Sequence, residues 1–476
     1  MTEGSHQFKR RLTLFDATAI VVGSMIGSGI FIVSSDMART VAAPGWLLVC
    51  WAITGLITVM AALSYGELAS MMPHAGGQYV YLRESFGPLP AFLYGWTLFL
   101  VIQTGTIAAV AVAFARFSSV LFPWFSVSNT LFSFGIFSIS AQQLLAVASI
   151  TVLTGSNVLG VVTGKIVQNF FTLVKILAFV ALLIFGFYYV LTTEAVHQTS
   201  EGFWSQSLSG IALLSAIGAA MVGSLFSSDA WNNVTFAGAE VIEPKRTIPL
   251  SMVLGTVTVV TLYFLANIVY LSVLPFHGSA GGATVPERGI QFAASDRVGT
   301  AAAEVMFGNA GAILMAVFIM IATFGCNNGI ILAGARVYYA MARDGLFFQS
   351  AGALNSNGVP ARALLLQGLW ASILCLSGGY SNLLDYVIFA VLIFYILTIV
   401  GLFILRKKKA DAERPYKAFG YPFVPAAYIL IASLICLDLL FVKPNYTWPG
   451  LIIVLLGIPV YFLWRRKIEV TPSHLT

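Results

Sequence analysis

Apolar runs of roughly 20 residues, parted by short polar connections, recur about twelve times along the 476-residue chain, and each is long enough to cross a bilayer as a helix. The pattern predicts spans near 14–35, 46–70, 88–120, 141–162, 166–191, 208–238, 249–274, 302–342, 361–379, 382–405, 423–442 and 447–465. Two are broken by small and polar residues. Residues 23–31 hold three glycines and two serines inside the first run, and glycine costs roughly 1 kcal/mol in a helix interior. Residues 223–231, GSLFSSDAW, interrupt the sixth. Backbone freed from a helix inside a membrane must face protein, water or a ligand, and two interrupted spans in matching halves of a chain point to a transporter's binding site.

Composition agrees, with 58% hydrophobic and 9% charged residues, far below the roughly 25% charge of a globular domain. An all-α integral membrane protein is expected, with an even number of spans and both termini on one side. Lysine and arginine choose the side. With the termini in the cytoplasm of a multi-pass cell-membrane protein, only Arg39, Arg116, Arg288, Arg297 and Lys443 fall outside, and Lys175 and Arg336 lie within spans. The net charge of +6 is then an orientation signal, and nucleic acid is not expected as a partner. No cleavable signal peptide is expected. Cys50, Cys326, Cys375 and Cys436 fall in predicted helices without metal-type spacing, so neither disulfide, metal nor cofactor is expected.

Along the chain, residues 1–13 read as a topogenic tail and Asp16 opens the first helix at the positive end of its dipole. Glu67 sits in the second span, and residues 73–81, with His74, form a turn-rich inner connection. The uncharged, Phe- and Ser-rich residues 122–140 are expected to pack as an external cap on the bundle. Lys175 lies ten residues, about 15 Å, beyond Lys165 at the cytoplasmic edge, hence near mid-bilayer, where a lysine costs about 3 kcal/mol. Either backbone carbonyls hold it or it serves coupling and the site. Asp229, on the second break, is a functional candidate by default or else the cap of a half-helix. Glu240, Glu243, Lys245 and Arg246 read as interfacial, gate-forming charges; residues 323–329 as a polar cluster facing the interior; Asp385 as outer-interfacial; and 406–422 as a basic, proline-bearing inner loop.

Broken helices offer N–H groups with partial positive charge and carbonyls with partial negative charge. A small zwitterion matches both, with its carboxylate on the N–H groups of Ile26, Gly27, Ser28 and Gly29 and its ammonium on carbonyls near Val22 and Phe226. Glycine at 27 and 29 lets a ligand approach the backbone closely, or else lets helices pack closely. A free amino acid is the simplest such ligand.

Ile26–Phe31, Val167-Gln168 with Lys175, Leu225-Phe226 with Asp229 and Trp231, Glu240 with Pro244-Lys245, Phe324–Cys326 with Asn328-Gly329, Pro415-Tyr416 and Tyr421-Pro422 together resemble the amino acid, polyamine and organocation permease superfamily. Within it the chain is similar to the L-type branch, which includes bacterial serine/threonine exchangers. The resemblance implies a LeuT-like five-plus-five inverted repeat over 14–190 and 208–405, with 423–466 as two peripheral helices serving as scaffold or homo-oligomer contact and 467–476 as an inner tail. It implies alternating access, sodium-independent exchange of neutral amino acids, Lys175 in the place a sodium ion fills elsewhere, Phe226 as a gate, and Ser227, Ser228, Asp229 and Asn328 near substrate. Proton-coupled symport is the alternative; a channel would not need the paired broken helices, and an intramembrane enzyme would call for metal-binding carboxylates or a His and Asp pair near a headgroup, which the sequence does not offer. Three departures stand out: Ala230 where glycine is frequent, Ser227-Ser228 where Ala-Tyr is common, and a 122–140 loop without the cysteine that ties mammalian members to a heavy subunit.

Overall fold

The computed structural model describes residues 8–134, 137–193, 202–205, 208–377 and 380–470. The tail residues 1–7 and 471–476 lie outside the described residues, as does the side chain of Asp385. In chain order the helices are α1 (Leu14–Met25), α2 (Val33–Val41), α3 (Pro44–Met71), α4 (Gln78–Phe86), α5 (Pro88–Thr97), α6 (Gln103–Leu121), α7 (Ala141–Val158), α8 (Val161–Thr192), α9 (Gly210–Ser227), α10 (Asn233–Phe236), α11 (Pro244–Val273), α12 (Val285–Arg288), α13 (Val298–Phe307), α14 (Asn309–Arg343), α15 (Ala361–Ser377), α16 (Tyr380–Lys408), α17 (Phe423–Val442) and α18 (Pro444–Val470). Ten segments among the described residues are long and apolar enough to cross a membrane, and α7 and α15, of 18 and 17 residues, complete a set of about twelve.

The helix faces sort themselves by polarity. On α8 the buried residues Gly164, Gln168, Thr172, Lys175, Phe179, Leu182 and Gly186 recur every three or four positions, so one stripe faces the bundle. Ile166, Phe170, Leu173, Leu177 and Ile184 stay exposed on the opposite face, where lipid is the natural solvent.

Several boundaries differ from the pattern-based expectation. The eighth span is two helices: Gly308, at φ 63°, ends α13 and starts α14, so the membrane segment is Asn309–Arg343. Between α5 and α6, Leu98–Ile102 adopts a π-helical turn, and Thr104 donates its hydroxyl to the Phe99 carbonyl at 2.6 Å. The segment expected to lie outside forms an antiparallel hairpin, β1 (Thr130–Phe134) with β2 (Phe137–Ser140). It is not packed down as a cap, because Phe122, Trp124, Val127, Leu131 and Phe132 are exposed.

Of the expected basic loop 406–422, residues 406–408 are the last turn of α16, because the helix runs on to Lys408, and the remainder is docked on the bundle. Glu67, fully buried, receives Arg406 Nε at 2.9 Å, Arg406 Nη2 at 2.6 Å and the Ala418 N–H at 2.7 Å, with Arg414 Nε 3.2 Å away.

Candidate functional site

The first break begins later than its glycines suggest. Ile26 N–H still reaches Val22 O at 3.0 Å, so α1 runs to Met25 before the chain turns through a 3-10 segment, Gly29–Phe31, into α2. The expected donor on Ile26 and acceptor on Val22 are therefore joined to each other. Every carbonyl that the end of α1 leaves without a helical partner is met by a side chain instead. Lys175 Nζ donates to Gly23 O at 2.6 Å and Ile26 O at 2.9 Å, the Cys326 thiol to Ser24 O at 2.9 Å and the Tyr263 hydroxyl to Met25 O at 2.9 Å. Lys175 also reaches Ala322 O at 3.3 Å, tying α8, α1 and α14 into one joint.

The carbonyl end of the break is thus closed, while its N–H end is open. Among the described residues no acceptor meets the N–H of Gly27, Gly29 or Ile30. Unpaired N–H groups at a helix start, buried from water, are a ready anion site.

The second break is shorter than expected. α9 continues through Ser227, and the chain unwinds only over 228–232, with Ala230 at φ 67°. Gly223 lies inside the helix because it serves packing: an added Cβ there would come within 2.9 Å of Val33 Cβ on α2. Phe226 O accepts the Asp229 N–H at 3.2 Å, but among the described residues the carbonyls of Leu225 and Ser227 meet no donor. This end of α9 therefore presents acceptors and partial negative charge.

The two breaks touch. An added Cβ on Gly29 would overlap the Ser227 side chain and stand 3.1 Å from Ser227 Cα, so Gly29 serves backbone approach to α9. Gly27 faces Cys326 Sγ, 3.2 Å from where a Cβ would sit.

Asp229 lies between two small cavities. Its Oδ1 accepts the Tyr395 hydroxyl at 2.6 Å; that hydroxyl also lies 3.2 Å from Asn232 Oδ1, and Asn232 Nδ2 donates to Gln78 Oε1 at 2.9 Å. Asp229, Asn232, Gln78 and Tyr395 line one cavity with Gln103 and the π-helical residues Leu98 and Ile102. Ser228, Asp229 and Trp231 line the other. Each holds about 20 Å3, room for about one water, so an amino acid needs the site to widen. Asn328 lies elsewhere: its Oδ1 accepts from Asn157 and its Nδ2 donates to Gly164 O and Gln168 Oε1, so its polar atoms are engaged in packing α7, α8 and α14. Phe226 is 8% exposed and lines neither cavity.

Both faces are closed over this centre. On one, Leu12 pairs with Val241, Arg11 N–H reaches Glu240 O at 2.8 Å and Lys165 bridges to Asp16 at 3.1 Å. Beneath them Glu240 and Arg336, each 1% exposed, form a buried two-point pair, with Nε–Oε1 2.8 Å and Nη2–Oε2 3.4 Å, where interfacial charge was expected of Glu240. On the other, Arg39 at the end of α2 binds Asp296 at 2.7 Å and Gln291 O at 2.7 Å. Tyr395, Tyr263 and the π-turn carry no local signal that could single them out, and Glu67 stands out only as an acid within a span.

A profile described as amino acid permease matches residues 12–462, nearly the whole chain. The chain belongs to the amino acid permease family. The permease is similar to the b(0,+)-type amino acid transporter 1 of Mus musculus, 29% identical over 475 residues spanning 97% of this chain and 90% of the mouse protein. It is 30% identical over 472 residues to the large neutral amino acids transporter small subunit 2 of Mus musculus, covering 98% and 83% of the two chains. It is also 28% identical over 466 residues to the cystine/glutamate transporter of Homo sapiens, covering 97% and 87%. The permease is a multi-pass membrane transporter and not an enzyme. The expected superfamily stands.

Proposed function

We propose that the permease carries neutral amino acids by alternating access, as a sodium-independent exchanger. The observation that carries this is the complementary pair of open ends: N–H groups at Gly27, Gly29 and Ile30 beside the carbonyls of Leu225 and Ser227, joined where Gly29 meets Ser227. Carboxylate on the first set and ammonium on the second is the arrangement a zwitterion demands. Ser227, Ser228 and Asp229 would face the substrate side chain, and Phe226 would close over it. Sodium independence rests on Lys175, whose fixed ammonium already occupies the three carbonyls that could hold a metal cation. Proton-coupled symport is the second reading, favoured by the Asp229 carboxylate at the cavity wall.

The same reading has two inverted repeats over 14–190 and 208–405, 423–466 outside them as scaffold or homo-oligomer contact, and both termini in the cytoplasm of a cell membrane. No disulfide-linked heavy subunit is proposed, since residues 122–140 lack cysteine. Uptake into liposomes, empty or preloaded with amino acids, tests this. Uptake of labelled neutral amino acids that needs internal amino acid and ignores sodium supports exchange. Equal uptake into empty liposomes driven by a pH gradient would replace exchange with symport, and no uptake of any amino acid would overturn the reading.

A further inference from the structure

A third, larger cavity of about 800 Å3 opens on the face that the proposed orientation makes external, between the end of α6, the 283–297 connection, α13 and the start of α14. Its size falls in the range of ligand clefts. Thr300 and Glu304, four apart on one face of α13, line it together with Arg297, the residue that caps the start of that helix. Arg288 faces them from the connection.

Among the described residues these polar groups are satisfied only in part. Arg288 uses only Nε, on Gly282 O at 2.7 Å, and Arg297 only Nε, on Ala294 O at 3.4 Å. Among the described residues no carboxylate lies within ion-pair distance of either guanidinium, and Glu304, close enough to Arg297 to act on its charge, makes neither a hydrogen bond nor an ion pair. The Thr300 hydroxyl oxygen is buried without a hydrogen bond, which ordinarily costs free energy unless something binds there. Burial, then the charge of Arg116, hold Arg297 below the ordinary arginine pKa, with Glu304 acting in the opposite sense. Two forked cations with unused ends in one cleft suit a planar oxyanion.

We infer that this cleft binds the carboxylate of an amino acid at the external mouth of the permease, held by Arg288 and Arg297 with its ammonium turned toward Glu304. The inference rests on the transport function and orientation proposed above. The site adjoins the outer latch: Arg297 follows Asp296, the partner of Arg39 on α2. A carboxylate drawn onto Arg297 therefore gathers substrate beside the contact that must part for the outer face to open. The same oxyanion chemistry could come from a lipid phosphate, because Ile313 and Leu314, just inside α14, are exposed on the bilayer side.

The test uses the full chain in nanodiscs, with 3-fluoropropionate as a 19F probe: a carboxylate without the ammonium that the central site demands. Wild-type protein is expected to broaden the probe signal, and R288Q/R297Q to weaken its binding roughly five- to tenfold, as for partly exposed ion pairs acting together. E304Q should strengthen binding of the probe, which cannot use that carboxylate. In liposomes R297Q should raise the external KM of the best amino acid in the uptake panel several-fold with kcat unchanged. Probe binding unaltered in R288Q/R297Q overturns the site. Probe binding lost on replacing phosphatidylcholine with phosphatidylglycerol, with KM unmoved in R297Q, assigns the cleft to lipid phosphate and overturns the substrate role. If wild-type protein transports no amino acid while the probe still binds through the arginines, the functional reading fails and the oxyanion cleft stands alone.

Discussion

Replacing Lys175 with methionine isolates the ammonium, since the stem keeps nearly its volume. The charge makes three hydrogen bonds, to Gly23 O, Ile26 O and Ala322 O at 2.6, 2.9 and 3.3 Å. Bonds to charged groups contribute about 1.5–3 kcal/mol each, so roughly 6 kcal/mol is at stake. Holding a lysine in mid-membrane costs about 3 kcal/mol, which the substitution returns. The difference, about 3 kcal/mol, falls on the conformation that brings α1, α8 and α14 together, equivalent to roughly a hundredfold in its population. Lys175→Met should therefore lower uptake in liposomes by about two orders of magnitude.

The bundle should survive the change. Gln168 and Thr172 still reach Ala19 O at 3.2 and 3.1 Å, so α8 stays registered on α1. A monodisperse elution profile and an intact thermal transition would establish that the lost transport is not lost folding. Uptake within twofold of wild type at equal protein content would refute the assignment of Lys175 to the joint.

Gly29→Ala puts a methyl group into Ser227 and should abolish the thermal stabilisation given by a transported amino acid; a retained shift would show that the breaks need not touch. Glu240→Gln or Arg336→Met alone should destabilise by about 3–5 kcal/mol, and the double replacement by far less, since an unpaired buried charge costs more than a missing pair; thermal unfolding in detergent reads the difference. The Lys409 ammonium on Glu84 holds that carboxyl below its ordinary pKa, so their contribution is present at neutral pH and fades only as pH falls through the lowered value; Lys409→Met should flatten the acid limb of the stability profile slightly. In unliganded protein a thiol label should reach Ser34→Cys from outside faster than Val241→Cys from inside; the reverse order would contradict the unequal closure of the two faces.

Signals local in sequence were the readable ones. Glycines and serines inside an apolar run mark the first break, and a lysine within a span allows two readings, of which the one with backbone carbonyls as its partners is seen. Each break starts later than its glycines suggest because glycine in a membrane helix serves close packing as readily as unwinding: Gly223 makes room for Val33, while the turn falls on Ala230. Partners far apart in the chain left no trace. Tyr395 stands 166 positions from Asp229, and Arg406 stands 339 from Glu67, so neither pairing has a period or spacing to reveal it. The π-turn reads as plain LFLVI, indistinguishable from any lipid-compatible stretch until the backbone is seen.

The same charges that orient a membrane chain also decide how firmly each side is shut. On the side assigned to the cytoplasm the broken helices are held by Asp16–Lys165, with Asp16 only 5% exposed, by the buried Glu240–Arg336 pair and by the backbone bonds from residues 11 and 12 to 240 and 242. On the other side the charge latch is Arg39–Asp296, whose side chains are 32% and 41% exposed. A solvent-exposed pair contributes about 0–1 kcal/mol, whereas separating a buried one leaves charges without partners at about 3–5 kcal/mol. Substrate that fills the open N–H and carbonyl ends would draw the breaks together without touching either latch. In the proposed orientation, release inward would break contacts that entry from outside leaves intact. An exchanger needs that asymmetry, because an empty carrier that reopened both faces equally would leak its gradient instead of trading one amino acid for another.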